Sequence, residues 1–143
     1  MSTRGGEIAS AAETLIGTRF RLHGRNPETG LDCIGLVGQA LESCGRRVHY
    51  PQGYTLRNMD IARWLEFAGA NGLRDCAGPA ERGHILLTQP GPAQHHLLIA
   101  LGGGQFVHAH AGLRRVVSQR ISLTRPPLAQ WRVEPDQEQS WPL

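Results

Sequence analysis

The apolar residues of this chain change rhythm near its middle. From Gly6 to Gly17, Ile8, Ala11, Ala12, Leu15 and Ile16 recur at helical spacing, which predicts a short helix over residues 6–17 that ends at the glycine. Residues 18–31 include "HGRNPETG", which is turn chemistry, and read as a loop. A second helix is predicted over residues 33–44, with Asp32 at its N-cap and Gly45 just past its end. Its buried stripe would be Val37, Ala40, Leu41 and Cys44. Residues 49–58 read as a loop, and a third helix over residues 59–72 would turn Ile61, Trp64, Leu65 and Ala68 inward.

After Gly83 the helical period is lost. "HILLTQP" (84–90) is a short apolar run closed by prolines, and "HHLLIALGGGQFVHAH" (95–110) reads as a β-hairpin turned by three glycines. Residues 113–121 and 128–135 read as two more strands, and residues 136–143 as a polar tail. Helices followed by consecutive antiparallel strands predict an α+β domain, with N-terminal helices packed on one face of an antiparallel β-sheet. No repeat, low-complexity tract or linker interrupts the 143 residues, so one domain is expected over 1–143 with its core at about 6–134.

Composition narrows the function classes. The net charge of +3 comes from arginine alone, since the chain has no lysine, and the arginines are scattered. That suits an anionic surface or polymer, but no aromatic–basic interleaving or recognised module points to nucleic acid. No stretch approaches the ~20 apolar residues of a membrane span. The first twenty residues lack the apolar run of a signal peptide, so the expectation is a protein made in the cytoplasm and not exported by the usual route. Three cysteines, Cys33, Cys44 and Cys76, form no even framework and no CxxC pair. Reduced thiols are expected, with Cys44 and Cys76 as small buried hydrophobes.

Cys33 differs by its position in "GLDCIGLV", where a loop becomes a helix. The thiolate is the nucleophilic form of cysteine, and a helix N-terminus favours it through free N–H groups and the macrodipole. The Cys33 N–H would itself help hold an oxyanion. Asp32 works against this, because its charge opposes thiolate formation. Gly35 and Gly38 weaken the helix by roughly 1 kcal/mol each relative to alanine, which points to close packing there.

A nucleophilic thiol needs a base. Of the seven histidines, His95, His96, His108 and His110 flank the hairpin. If Gly102–Gly104 is a three-residue loop, residue 98 faces 108, and side-chain alternation puts His96, His108 and His110 on one face. A two-residue loop would separate His96 from His108. In the first register His96 is the base and His108 orients it, although His110 stays open as the orienting group. His95, His49 and His110 are otherwise plain surface or strand-end residues. His23 either lines a cleft or sits in a solvated loop. The alternative chemistry is a zinc site built from the histidines and Cys33, but no HExxH or paired-cysteine motif supports it, and no metal or other cofactor is expected.

These residues together resemble a known family. "LDCIGLV" resembles the DC(S)GLV motif of the NlpC/P60 cysteine peptidases, and "HHLLIALGGGQFVHA" resembles that family's second block. "GTRFRLHGR" resembles the segment ahead of the cysteine in the phage-tail branch, which includes tail proteins of gene transfer particles. The resemblance covers roughly residues 6–134 and implies a papain-like α+β fold that hydrolyses amide bonds in the peptide stems of peptidoglycan. It implies Cys33 as nucleophile, His96 as general base and acid, His108 as its orienting group, and Asp32 as a contact to the substrate's free amine. Ile34, Phe20 and His84 depart from the common pattern. Phe20 removes a hydroxyl near the oxyanion, for which His23 would compensate, and His84 is expected to be structural. The implied setting is a phage or phage-like tail, with the chain docked on a tail hub or tail-tip protein and acting on the cell wall. The rival expectations are a catalytically weak or inactive structural tail-tip protein, and a thiol acyltransferase or thioesterase on the same fold.

Overall fold

The computed structural model describes residues 4–52, 60–91 and 94–134. Residues 53–58 of the loop expected at 49–58, the start of the third helix at Met59 and the polar tail at 136–143 therefore lie outside the described residues. The order of elements is helices first, then sheet, as the periodicity predicts. α1 is Arg4–Thr14, β1 Arg25–Asn26, β2 Gly30–Leu31, α2 Cys33–Ser43 and α3 Ile61–Ala70. β3 is Leu73–Asp75, β4 Ile85–Gly91, β5 Gln94–Gly102, β6 Gln105–His110, β7 Arg115–Arg120 and β8 Ala129–Val133. A six-stranded sheet runs β3-β8-β4-β5-β6-β7, every neighbouring pair antiparallel, and β1 and β2 form a separate small hairpin. The fold is α+β, as expected. Among the described residues no helix is long and apolar enough to cross a membrane.

The sheet is apolar on both faces. Ile85, Leu87, Leu97, Ile99, Val107 and Ala109 point inward to the helices, and Leu86, Leu98, Ala100 and Phe106 form a second cluster on the outer face with Ala80 and Ile121. This explains the unbroken runs "ILL" and "LLIA", where a half-exposed strand would alternate.

α2 lies at the centre. Cys33 to Gly38, Ala40 and Leu41 are all buried, so the helix is enclosed on nearly every side and not along one stripe. Cys44, expected on the stripe, is half-buried at the C-cap, and Cys76 is half-buried too; the three thiols are free. A Cβ at Gly35 would collide with the Gly24 carbonyl, and one at Gly38 with the Tyr50 ring. The glycines thus admit one backbone and one aromatic ring. Burial of Leu36, Val37 and Leu41 at ~1.5–3 kcal/mol each outweighs the helix-propensity cost of both.

Two predicted faces are corrected. Ile16 lies beyond the end of α1 and is exposed. α3 is capped by Asp60, whose carboxylate accepts from Ala62 N at 2.8 Å, and it buries Trp64, Phe67 and Ala68 while Ile61 and Leu65 stay exposed. The helix is rotated toward Phe67 because Asn71, at its C-cap, is pulled inward. Asn71 accepts from His49 N at 2.7 Å and donates to the carbonyls of His49 at 2.9 Å and Phe67 at 2.8 Å. The chain then turns at Gly72 into β3, a strand the sequence reading did not assign.

Candidate active site

The hairpin register carries the site. Ile99 pairs with Val107 and Ala100 with Phe106, which is the register of a three-residue loop, and the pairing slips by one only at the tip, where Gly102 meets Gln105. His96, His108 and His110 consequently share the outer face. His96 Nε2 lies 2.8 Å from His108 Nδ1, and the two rings meet edge-on with centroids 5.0 Å apart. His110 touches the far side of His108 at 5.5 Å, while its own Nδ1 accepts from Leu113 N at 3.1 Å. His108 is therefore the ring bonded to His96.

A further residue, unforeseen in the sequence, completes the chain. His108 Nε2 lies 2.7 Å from Gln119 Oε1, on β7. An amide oxygen only accepts, so His108 carries its proton on Nε2. Its Nδ1 then accepts from His96 Nε2–H. That leaves the lone pair of His96 on Nδ1, the nitrogen able to take a proton. Gln119 carries no motif, and only the β6–β7 register, which sets Val117 against His108 and Gln119 against Phe106, brings it to this face.

Cys33 opens α2, and Asp32 caps it with extended backbone dihedrals of −94° and −172°. Asp32 is wholly buried. Its Oδ1 accepts from Gly35 N at 2.8 Å and from Arg25 Nη1 at 3.1 Å, and its Oδ2 from His23 N at 2.8 Å. The Arg25 guanidinium also stacks 4.6 Å over the Tyr50 ring. The carboxylate thus closes the turn before α2. His23 enters the same arrangement through its backbone N–H, at a positive φ of 62°, while its side chain is exposed.

Burial decides the electrostatics. The Cys33 thiol is fully buried and pushed up to about 12, first by desolvation and then by the Asp32 charge. Backbone groups of Leu97, Ile34 and Cys33 pull the other way and lose. Burial thus decides between the opposing helix N-terminus and Asp32 charge, which the sequence left in partial balance. His96 is pushed down to about 3, chiefly by burial and then by His108 and His110. His108 is lowered by burial, although its bond to Gln119 opposes this. At rest the thiol and the His96 and His108 rings are neutral, and among the described residues no hydrogen bond joins Cys33 Sγ to His96. Catalytic hydrogen bonds are often unformed before substrate binds.

Two clefts meet at the histidine pair. One, of about 620 Å³, has Phe20, His95, His96, His108 and His110 in its walls. Phe20 supplies an apolar wall there. The other, of about 360 Å³, runs over Leu98 beneath residues 121–128. His95, expected at the surface, is half-buried against Trp64 with its Nδ1 enclosed. His84 is structural, its Nδ1 taking bonds from Glu81 N at 3.1 Å and Gln130 Nε2 at 3.2 Å. Among the described residues no group of three or more His, Cys, Asp or Glu side chains is arranged to hold a metal ion.

Comparison with known proteins gives the same outline. The model of the NlpC/P60 family matches residues 17–132. Protein P54 of Enterococcus faecium is 29% identical over 109 residues, covering 76% of this chain and 18% of its own, so the chain spans under a fifth of that curated relative. The NlpC/p60 domain of the peptidoglycan hydrolase SagA is 26% identical, with 90% of this chain and 98% of that one covered and a TM-score of 0.63. RipD of Mycobacterium tuberculosis, a non-catalytic NlpC/p60 domain protein adapted to peptidoglycan binding, shares the fold at 15% identity, with 94% and 100% covered and a TM-score of 0.58.

Proposed function

Because the chain belongs to the NlpC/P60 family, we propose that it is a cysteine peptidase that hydrolyses amide bonds in the peptide stems of peptidoglycan. The observation that carries this reading is the chain Gln119–His108–His96, held so that the lone pair of His96 falls on Nδ1. A base so oriented, one residue from the Leu97 backbone that bonds the Cys33 thiol, supports nucleophilic catalysis once substrate draws thiol and ring together.

The reaction runs in two halves. His96 Nδ1 takes the Cys33 proton and the thiolate attacks the scissile carbonyl, whose developing oxyanion is held by the Cys33 N–H. The carbon–nitrogen bond breaks as His96 returns the proton to the leaving amine. Water, deprotonated by His96, then releases the acyl group as a carboxylate and restores the thiol. Burial raises the thiol and lowers the imidazole, so the first transfer is uphill at rest. Substrate binding must therefore stabilise the thiolate–imidazolium pair before attack.

The setting we propose is the tail of a phage-like particle, with a hub or tail-tip protein delivering the domain to the wall. The segment "GTRFRLHGR" supports it. Detection of the chain in purified particles tests this, and its absence from them contradicts it. For the chemistry, purified stem peptides should be cut by the wild type and not by Cys33→Ala. Equal fragment release by both would refute the reading. The second reading, a wall-binding or structural domain without turnover, is favoured by the enclosed, protonated thiol. It predicts that both proteins bind stem peptides and neither cuts them.

A further inference from the structure

The charges of this chain are segregated along its length. No Asp or Glu lies between Glu81 and Glu134, a stretch that supplies β4 to β8 and carries six arginines. Arg115, at the start of β7, shows the consequence. It stands opposite His110 of β6 on one side and opposite Arg19 on the other. Residues directly opposite across strands share a face, so Arg19, Arg115 and His110 form one basic row. Both arginines are exposed, and among the described residues neither makes an ion pair or a side-chain hydrogen bond.

The backbone fixes the row. Val116 N donates to Thr18 O at 2.8 Å and Phe20 N to Arg114 O at 2.9 Å. These bonds flank the Arg19–Arg115 pair, which is the antiparallel position where opposite side chains come closest. Like charges directly opposite each other destabilise a sheet, so the pair works against folding unless an anion lies against it.

The surroundings of the row say what kind of anion. Leu113, 48% exposed, donates its N–H to His110 Nδ1 at 3.1 Å. Phe20 follows Arg19, and Phe20 and His110 both stand in the wall of the larger cleft. Arginine beside aromatic and exposed aliphatic side chains, with no lysine, is the composition of a protein-binding surface. A phosphate polymer would have no use for the leucine. A second copy of this chain, docked across a two-fold axis, would bring the same basic row against itself.

We propose that the row Arg19–Arg115–His110 is a docking surface for a carboxylate-rich segment of another protein, with Leu113 meeting that segment's apolar residues. Each guanidinium fork can hold a carboxylate through two parallel hydrogen bonds. A partner seated there lies at the mouth of the larger cleft. The assignment goes beyond the hydrolase reading and needs no turnover; it rests on the proposed setting only for which protein supplies the segment.

The test measures Kd by fluorescence anisotropy with three labelled probes: a synthetic peptide of glutamates with interspersed leucines, the same peptide with lysine for glutamate, and inorganic polyphosphate. The wild type should bind the acidic peptide and not the basic one. Arg19→Ala and Arg115→Ala together should weaken the acidic peptide about tenfold or more. Leu113→Ser should weaken it too, whereas Arg74→Ala, an exposed arginine on the opposite edge of the sheet, should not. Because repulsion is removed, the double variant should melt no lower than the wild type, which separates lost docking from lost folding. No binding by the wild type, or losses no larger than that of Arg74→Ala, overturns the proposal. Polyphosphate bound as tightly as the acidic peptide, with Leu113→Ser affecting neither, makes the row a polyanion surface and overturns the protein assignment. Stem-peptide kcat/KM should be unchanged in the double variant, and a loss there would place the row in the substrate site instead. If no stem peptide is cut even by the wild type, the hydrolase reading fails and the Kd comparison alone decides this one.

Discussion

Gln119 is the residue on which the orientation of His96 depends, and Gln119→Leu isolates its role. The substitution keeps the side chain's bulk and removes the acceptor 2.7 Å from His108 Nε2. His108 is buried, with 5% of its surface exposed, so its Nε2–H loses its partner. A neutral hydrogen bond contributes about 1 kcal/mol net, and an orphaned buried donor costs about 1–3 kcal/mol. His108 escapes that cost by moving its proton to Nδ1. It then confronts His96 Nε2 with a donor, and His96 must shift its own proton to Nδ1, where it blocks attack by the thiol proton. A bias of about 1–2 kcal/mol lowers the base-competent population by roughly five- to thirtyfold. The assay is kcat/KM on a stem peptide, paired with ring ¹⁵N shifts that report which nitrogen of His108 and His96 is protonated. Gln119→Glu is the informative companion. It retains the acceptor and adds a negative charge, so both rings become more basic and the acid limb of kcat/KM moves to higher pH. Unchanged tautomers and unchanged kcat/KM in Gln119→Leu would refute the reasoning.

Other expectations follow from the same geometry. Asp32→Asn removes the charge that helps push the thiol up, so the Cys33 alkylation profile should move to lower pH. It also weakens the bond to Arg25, at a cost of about 1.5–3 kcal/mol that a denaturant midpoint will report. Gly35→Ala drives a methyl into the Gly24 carbonyl; overpacking of this kind costs typically ~1–3 kcal/mol, and a Tm equal to the parent's would count against the tight turn described here. Stability against pH should form a plateau. His96 is lowered from 6.5 to about 3, so the unfolded chain binds the extra proton and stability falls as pH drops through that window. Cys33 is raised from 9.0 to about 12, so stability falls again as pH rises through that window. Each of these two groups contributes a slope of up to about 1.4 kcal/mol per pH unit, and Cys33→Ala should make the alkaline limb shallower in urea titrations performed across pH, with Tyr50, also raised by burial, keeping part of it.

The sequence was most informative where a period and a residue type coincided. Alternation about the three glycines offered two registers, and the three-residue-loop register that the structure adopts along the strands is the one that joins His96 to His108. Asp32 and Gly45 marked the ends of α2 by capping chemistry alone. What stayed hidden depended on depth or on non-local pairing. Nothing local to "LDCIGLV" shows that the thiol lies beneath the surface, so the dipole argument overstated its acidity. The partners of Asp32 are set by a hairpin of two-residue strands, too short to carry a period. The phase of α3 turned on Asn71, a polar residue whose burial follows from its bonds to His49 and Phe67. Gln119 became visible only once β7 was registered against β6.

The central claim is that Cys33 carries the acyl group during turnover. The direct measurement is the intact mass of the wild-type chain, acid-quenched within milliseconds of mixing with a stem peptide, followed by localisation of any adduct. The account predicts a mass increase equal to the acyl half of the peptide, confined to Cys33 and absent from His96→Ala. Fragments released with no adduct on Cys33, or released equally by Cys33→Ala, would contradict it.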